Sequence, residues 1–528
     1  MRRLFRGGTL IDGTGAPARQ ADVLVKDGCI EAVGHFASVP DAETIDISGK
    51  TIAPAFVDMH RHIDAKPLLD SSMEVELRQG IATTVAGNCG FSLAPLGGEF
   101  ASAKRANDLP ILGNYPEHWQ MTFEGYLDRL QASRPALNVA AMIGLGAVRI
   151  GLNGFSDAPL TDEQLDSGCA MIAEALQAGA AGVSAGIMYL PEFYTTRDEY
   201  RRLLKPLRGG KKPLVTHIRG EGDSLVASVE EVLRIARDAE CPLEISHFKS
   251  CGVQNWNREI YRAIDRIEAA RAAGQDVTVD FYPYLGGSTA LTTMLPPAFV
   301  QGDMTGALQR LGTKEGVESF RKACDVNYSD WDNYAISLGW DRILIASAEG
   351  ENQRFLGMSV QEAAEKFGFD DAEALAAHMM HTEEGRTAII NLSMDQRDVD
   401  AIARLPYSTL ISDAIYADTD RPHPRMYGAF PRFIEDFVCR RSVLPLETAI
   451  CKMTSMPAQR MQLQGRGIIA EGAFADIIVF DGKNIRSAAA FDSPKHLGEG
   501  IDMLLINGEI CLERDRVTGV RSGRGIRV

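Results

Sequence analysis

Two histidines one residue apart, His60 and His62, are the first residues in the chain whose types and spacing could do chemistry. On a strand, residues i and i+2 face the same side, so both imidazoles can reach one cation. Cys89, His217, His247 and Asp413 follow, each at or next to the end of an apolar, strand-like run. The chain holds ten histidines, and four of them fall at such ends. Each residue has a plainer use when taken singly. A buried histidine or cysteine is usually core, and Asp413 could cap the helix that follows its strand. Their joint recurrence at strand ends is what supports a metal centre. Imidazole and thiolate together favour zinc or another borderline divalent ion. Such an ion lowers the pKa of water and polarises a carbonyl, the chemistry of metal-assisted hydrolysis.

Residues this far apart in sequence, more than 350 positions, meet only if the fold brings strand ends together. Eight apolar runs read as buried strands: Phe56–His62, Ala82–Asn88, Asn138–Gly144, Ala181–Ile187, Pro213–Ile218, Pro242–His247, Val277–Pro283 and Ser408–Asp413. Stretches between them, such as Asp162–Ala178 and Ser224–Ala239, carry helical periodicity. Strands alternating with helices predict an α/β fold, and eight units predict a (β/α)8 TIM barrel over residues 54–463. The C-terminal ends of barrel strands share one mouth, where active sites sit. A ninth run, Ile343–Ser347, falls outside that count. It lies in an interval, about 285–407, too long for one loop, so an inserted subdomain or lid is expected there. Both termini read as β structure. Asp27–Gly28 and Asn507–Gly508 sit between alternating runs and predict hairpins. Neither terminus alone supplies a stable sheet, so residues 1–53 and 464–528 are expected to form one small β-sandwich.

These residues resemble a known family. Pro54–His62 resembles the first-strand signature of the amidohydrolase superfamily, as does the closing Gly472–Asp476. Within it, Gly87-Asn88-Cys89-Gly90-Phe91-Ser92 resembles the N-acyl-D-amino-acid deacylases. So do Thr216–Arg219, Ile245–Lys249, Asp280–Tyr284 and His423-Pro424-Arg425-Met426-Tyr427-Gly428. The likeness covers nearly the whole chain. It implies a tight zinc held by Cys89, His217 and His247. It implies a second, weaker site lined by His60, His62 and Asp413, with Cys89 in the bridging role. It further implies Asp413 as general base and Arg425 and Tyr282 at the substrate carboxylate. Lys249, Tyr189 and Tyr284 complete the expected substrate set. The implied reaction releases a carboxylate and a D-amino acid from an N-acyl-D-amino acid. A cyclic amidase or isoaspartyl dipeptidase activity is the alternative, and a non-catalytic barrel scaffold the remote one. Two departures stand out. Arg61 replaces the usual threonine between the histidines, and Ala414 replaces the more common glycine after Asp413.

Bulk properties exclude several classes. Hydrophobic residues are 45% and charged residues 24%, close to soluble globular averages. A formal net charge of -16 argues against nucleic acid and anionic membrane as partners. No apolar run reaches transmembrane length, and residues 1–15 lack the apolar core of a secretion signal. Nine scattered cysteines without CxxC spacing fit reduced cytoplasmic thiols. The expected partner is a small molecule, and self-association into a homo-oligomer is left open.

Overall fold

The computed structural model describes residues 2–329, 331–419 and 421–528. All eight apolar runs are strands, labelled here β1 (Phe56–Asp58), β2 (Ile81–Ala86), β3 (Asn138–Ala141, continued by Ile143–Gly144), β4 (Val183–Gly186), β5 (Leu214–His217), β6 (Leu243–Ile245), β7 (Val277–Phe281) and β8 (Ser408–Leu410). They form two parallel arcs. One runs β1-β2-β3, and the other runs from the continuation of β3 through β4 to β8. Backbone hydrogen bonds cross both gaps between the arcs. Ala181 N donates to Ala141 O at 2.8 Å on one side, and Asp413 N to His60 O at 2.9 Å on the other. Apart from Thr278, every residue of these strands is buried. That two-sided burial is why they read as continuous rather than alternating apolar runs.

Helices cover the outside of the arcs. Asp162–Ala178 opens on a capping box, in which the Thr161 hydroxyl accepts from Gln164 N while the Gln164 side chain accepts from Thr161 N. It closes on Gly179 in the left-handed region. Leu225–Ala239 buries Leu225, Val229, Val232, Leu233 and Ala236, one stripe at helical spacing.

The strands are shorter than the apolar runs suggest, and the difference matters at β8. The run to Asp413 predicts a strand through Asp413, but the ladder stops at Leu410. Asp413 itself has φ 50. A left-handed residue cannot continue a pleated strand, so the carboxylate is turned off the sheet edge.

Both termini contribute to one seven-stranded sheet, in which Ile477–Phe480 pairs antiparallel with Thr51–Pro54. A four-stranded sheet built from Arg2–Arg6, Asp22–Lys26, Cys29–Gly34 and Ala42–Asp46 packs against it. Phe5, Val23 and Ile30 from the smaller sheet share a core with Ile52, Ile477 and Leu505 from the larger. The Asn507–Gly508 turn joins Ile501–Ile506 to Glu509–Glu513, with φ 50 and 83, the signs a two-residue hairpin loop requires.

The ninth run becomes Ile343–Ile345. It pairs antiparallel with Ala388–Asn391, which also pairs with Gly287–Ala290. The rest of this stretch is largely helical and has its own apolar core, including Leu291, Phe320, Trp340, Phe355 and Leu375. No helix among the described residues is long and apolar enough to cross a membrane.

Candidate metal centre

The loops leaving β1, β2, β5, β6 and β8 carry the predicted donors to one buried place. Three overlapping groups form there, each with its ligand atoms within 4.8 Å of one another: His60-Cys89-His247, His60-His62-Asp413 and His217-Glu221-His247. His60 and His247 are shared, so the groups are continuous. Cys89 Sγ lies 3.2 Å from His60 Nε2 and 3.5 Å from His247 Nε2. Asp413 Oδ1 lies 3.5 Å from His60 Nε2 and 3.4 Å from His62 Nε2.

Three of these residues have unusual backbones. Cys89, His247 and Asp413 have φ of 53, 34 and 50. Left-handed geometry costs a non-glycine residue about 1–3 kcal/mol, and such strain is concentrated at functional sites. The turn at Cys89 also needs its flanking glycines. A Cβ on Gly87 would meet Met142 O at 2.1 Å, and one on Gly90 would meet the Glu192 carboxylate at 2.3 Å. Asp64 fixes the same loop by accepting from Gly87 N and Leu93 N, both at 3.2 Å.

Buried carboxylates aim two of the four imidazoles, while Nδ1 of His62 and of His217 has no hydrogen-bond partner. Asp280 Oδ2 lies 3.3 Å from His60 Nδ1, and Glu221 Oε1 lies 3.0 Å from His247 Nδ1. Holding Nδ1 turns Nε2 toward the centre, the usual outer partner of a metal-bound histidine. Asp280 also accepts from His247 N, so one side chain braces two donors. The sequence motif containing Asp280 was visible, but its role was not. Glu221 carried no signal beyond standing four residues after His217.

The electrostatics suit a cation. Burial pushes the Cys89 thiol well above its ordinary pKa, and the Asp413 and Asp280 carboxylates push it the same way. A divalent ion reverses that balance and draws out the thiolate. Burial lowers His60 to about 4, which leaves a neutral imidazole able to ligate. Burial also opposes ionisation of Asp413, but Arg425, His247 and the His62 hydrogen bond outweigh it and hold the carboxyl well below its usual range. Nitrogen, sulfur and oxygen donors in one buried cluster fit zinc.

The resemblance groups Cys89 with His217 and His247. In this structure Cys89 lies between His60 and His247, and His217 lies beside Glu221 and His247. The His217 ring is turned so that Nε2 faces Met188 Sδ at 3.2 Å.

Tyr189, Lys249, Tyr282 and Arg425 line the same small pocket as His62, Cys89, His217, His247 and Asp413. Arg425 Nη1 pairs with Asp413 Oδ2 at 2.7 Å, and its guanidinium lies 4.5 Å over the Tyr282 ring. Lys249 pairs with Glu221. The Tyr282 hydroxyl and Arg425 Nε are buried without hydrogen-bond partners. Unpartnered buried polar atoms are rare in folded proteins, and these two belong to residues that line the donor pocket. His423 is structural. Its Nε2 lies 2.8 Å from Gly286 O and its Nδ1 accepts from Arg425 N at 3.0 Å, which presents Arg425 to the pocket.

Tyr284, expected in the substrate set, does not line this pocket. Its hydroxyl donates to Ala489 O at 3.4 Å, and its ring packs on His423 and under Arg432. Tyr282 and Tyr284 would share a face only on a continuing strand, and β7 ends at Phe281.

Arg61, the departure from the family pattern between the two histidines, has a structural role. Its side chain points away from the donors beside it and is fully buried. It donates to Tyr416 Oη at 2.7 Å, Glu76 Oε1 at 2.9 Å, Met426 O at 3.1 Å and Ser412 Oγ at 3.2 Å. Ser412 and Met426 adjoin Asp413 and Arg425, so one guanidinium ties both loops to β1.

A buried His, Cys and Asp cluster at the ends of parallel strands defines a metal-dependent hydrolase of the α/β class. The chain belongs to the amidohydrolase family, whose model matches residues 43–298 and 372–511, and within it to the N-acyl-D-amino-acid deacylases. It is 32% identical to a D-aminoacylase of Alcaligenes xylosoxydans xylosoxydans, over 99% of this chain and 96% of the relative. It is 33% identical to an N-acyl-D-aspartate deacylase of the same organism, over 99% and 94%. Among solved structures it is similar to the N-acyl-D-glutamate deacylase of Bordetella bronchiseptica, complexed with zinc and a phosphonate mimic of the tetrahedral intermediate. There the TM-score is 0.84 and the identity 31%, covering 99% of each chain.

Proposed function

We propose that the protein is a zinc-dependent deacylase that hydrolyses N-acyl-D-amino acids to a carboxylate and a free D-amino acid. The observation that carries this reading is the Asp413–Arg425 pair at the edge of the His and Cys cluster. It sets a carboxylate base and a carboxylate-binding cation side by side. In this reading Cys89, His217 and His247 would hold one ion. His60, His62 and Asp413 would line a second, weaker position, with Cys89 between the two. Zinc, when bound, supplies Lewis acidity for the attacking water and the scissile carbonyl. Asp413, ionised at neutral pH, takes the proton from the attacking water and passes it to the leaving nitrogen. Arg425 Nε and the Tyr282 hydroxyl bind the substrate α-carboxylate, and Lys249 sits behind Tyr282 at 5.8 Å from its ring. The relatives' names support D-selectivity.

The same reading extends to architecture. The two parallel arcs, joined by hydrogen bonds across both gaps, support a closed (β/α)8 barrel over 54–463. The shared terminal core supports one β-sandwich made from 1–53 and 464–528. The separate core within 285–407 supports an inserted subdomain over the barrel mouth. All nine cysteines are free, which supports a reducing, cytoplasmic setting.

The test is a hydrolysis panel run with metal analysis of the same preparation. N-acetyl-D-amino acids, acidic ones included, are expected to be cleaved in preference to their L counterparts, to hydantoins and to isoaspartyl dipeptides. Preferred cleavage of a hydantoin, or full activity in metal-free protein, would overturn the reading.

A further inference from the structure

We infer that the large cavity beside the metal centre is an acyl-chain pocket, so that the preferred substrates carry long, apolar N-acyl groups. This rests on the deacylase reading above. The cavity measures about 600 Å³, within the usual range for a pocket that encloses a sizeable ligand. It shares Ile111, Met188 and Tyr189 with the pocket holding the donors, so the two spaces meet at that wall. Beyond them its walls are mostly apolar, with Phe91, Leu190, Leu295, Met304, Leu308 and Trp331.

The connectivity of the substrate decides which part enters. The α-carboxylate and the amino-acid side chain branch from one carbon, on the nitrogen side of the amide. Both therefore start beside the groups that bind the carboxylate. Arg425, Tyr282 and Lys249 line the donor pocket, and none of them lines the cavity. The acyl chain leaves from the other side of the scissile carbonyl, so it is the substituent that leads away from those groups and into the apolar space.

The charged residues of the cavity are already engaged. Arg386 pairs with Glu349 at 3.0 Å and Glu384 at 2.7 Å. Asp303 accepts from Gly306 N at 2.8 Å as a helix cap. His381 Nδ1 lies 3.0 Å from Leu308 O. These contacts leave an apolar chain better matched than a charged one. Helix Ala101–Leu112 lines one side with Ala103 and Ala106, both exposed, so small residues keep that side open.

The experiment uses the full-length, zinc-loaded enzyme. It compares N-acetyl, N-butanoyl, N-octanoyl and N-dodecanoyl derivatives of one D-amino acid. The value of kcat/KM is expected to rise about two- to fourfold per added methylene until the cavity is filled. Ala106→Trp and Met304→Trp, checked for zinc content and far-UV circular dichroism, should each lower the dodecanoyl-to-acetyl ratio at least about tenfold. A flat or falling series would overturn the inference. So would an equal gain from lengthening the D-side chain with acetyl fixed, or a ratio untouched in both tryptophan variants. If no N-acyl-D-amino acid of any length is cleaved, the deacylase reading itself falls.

Discussion

The two walls of the catalytic mouth are built in opposite ways. The donor wall is made of strand ends. Its groups are polar and buried, and three of its parts are held by a second residue: His60 by Asp280, His247 by Glu221, and the Cys89 loop by Asp64. The facing wall comes largely from the segment between β7 and β8. It is largely helical, mixes apolar residues such as Leu295 and Trp331 with polar ones such as Thr292, and is packed around its own core of residues such as Phe320 and Leu375. The contrast separates chemistry from selection. Donors that must meet within a few ångströms sit at or just beyond the ends of the sheet strands, while the surface proposed to fit a substrate's variable part sits on a segment with a core of its own.

The sharpest break in that comparison is chemical. Asp413→Asn keeps the shape of the donor wall but removes the proton acceptor. Activity should fall about 10²- to 10⁴-fold for every acyl length, with zinc retained and the acyl-length preference unchanged. Steady-state kinetics on the acyl series checks this. Near wild-type turnover would remove Asp413 as the base.

Phe320→Ala tests the independence of the other wall. This ring is wholly buried and packs on Phe299 and Trp340. Its loss should cost about 3–5 kcal/mol of stability in denaturant melts. Zinc content and turnover of N-acetyl substrates at 25 °C should change little. Loss of zinc in the folded variant would mean that the two walls are one cooperative unit.

The walls also differ in what could be read from sequence. HxH spacing, strand-end positions and the glycines around Cys89 are local signals, so the meeting of these six side chains at one place was legible, and so were the eight strands. Where β8 ends was not, because apolar composition continues past Leu410 while the backbone turns left-handed at Asp413. Glu221, Asp280 and the tie made by Arg61 were not legible either. A buried carboxylate or guanidinium acquires its role from partners that are distant in sequence, as Arg61 does from Tyr416 and Met426. The cavity was the least legible feature. Its lining is drawn from segments spread between Phe91 and Arg386, and no periodicity marks such a set. Tyr284 shows the converse error, in which a pattern valid on a strand is carried past the strand's end.

Asp280→Asn asks how far the donor wall depends on its outer carboxylates. The amide preserves size but is a weaker acceptor for His60 Nδ1 and His247 N. Zinc affinity should drop about 10- to 100-fold, measured by competition with a chromogenic chelator. Activity should return at high zinc. If affinity is unchanged, His60 is oriented by packing alone.

The smallest expected effect is at the junction of the two walls. The Tyr282 hydroxyl is buried and has no partner within the protein, so Tyr282→Phe removes no native hydrogen bond. The free protein should be as stable as wild type or slightly more so, because an unpaired buried polar group is itself costly. The ring remains to stack under Arg425. What disappears is a donor to the substrate carboxylate, and a hydrogen bond to a charged group contributes roughly 1.5 kcal/mol at the low end. KM should therefore rise about tenfold with kcat nearly constant. The rise should be equal for acetyl and dodecanoyl substrates, because Tyr282 acts on the nitrogen side of the amide. A larger penalty for the dodecanoyl substrate would place Tyr282 on the acyl side and erase the separation between the two walls.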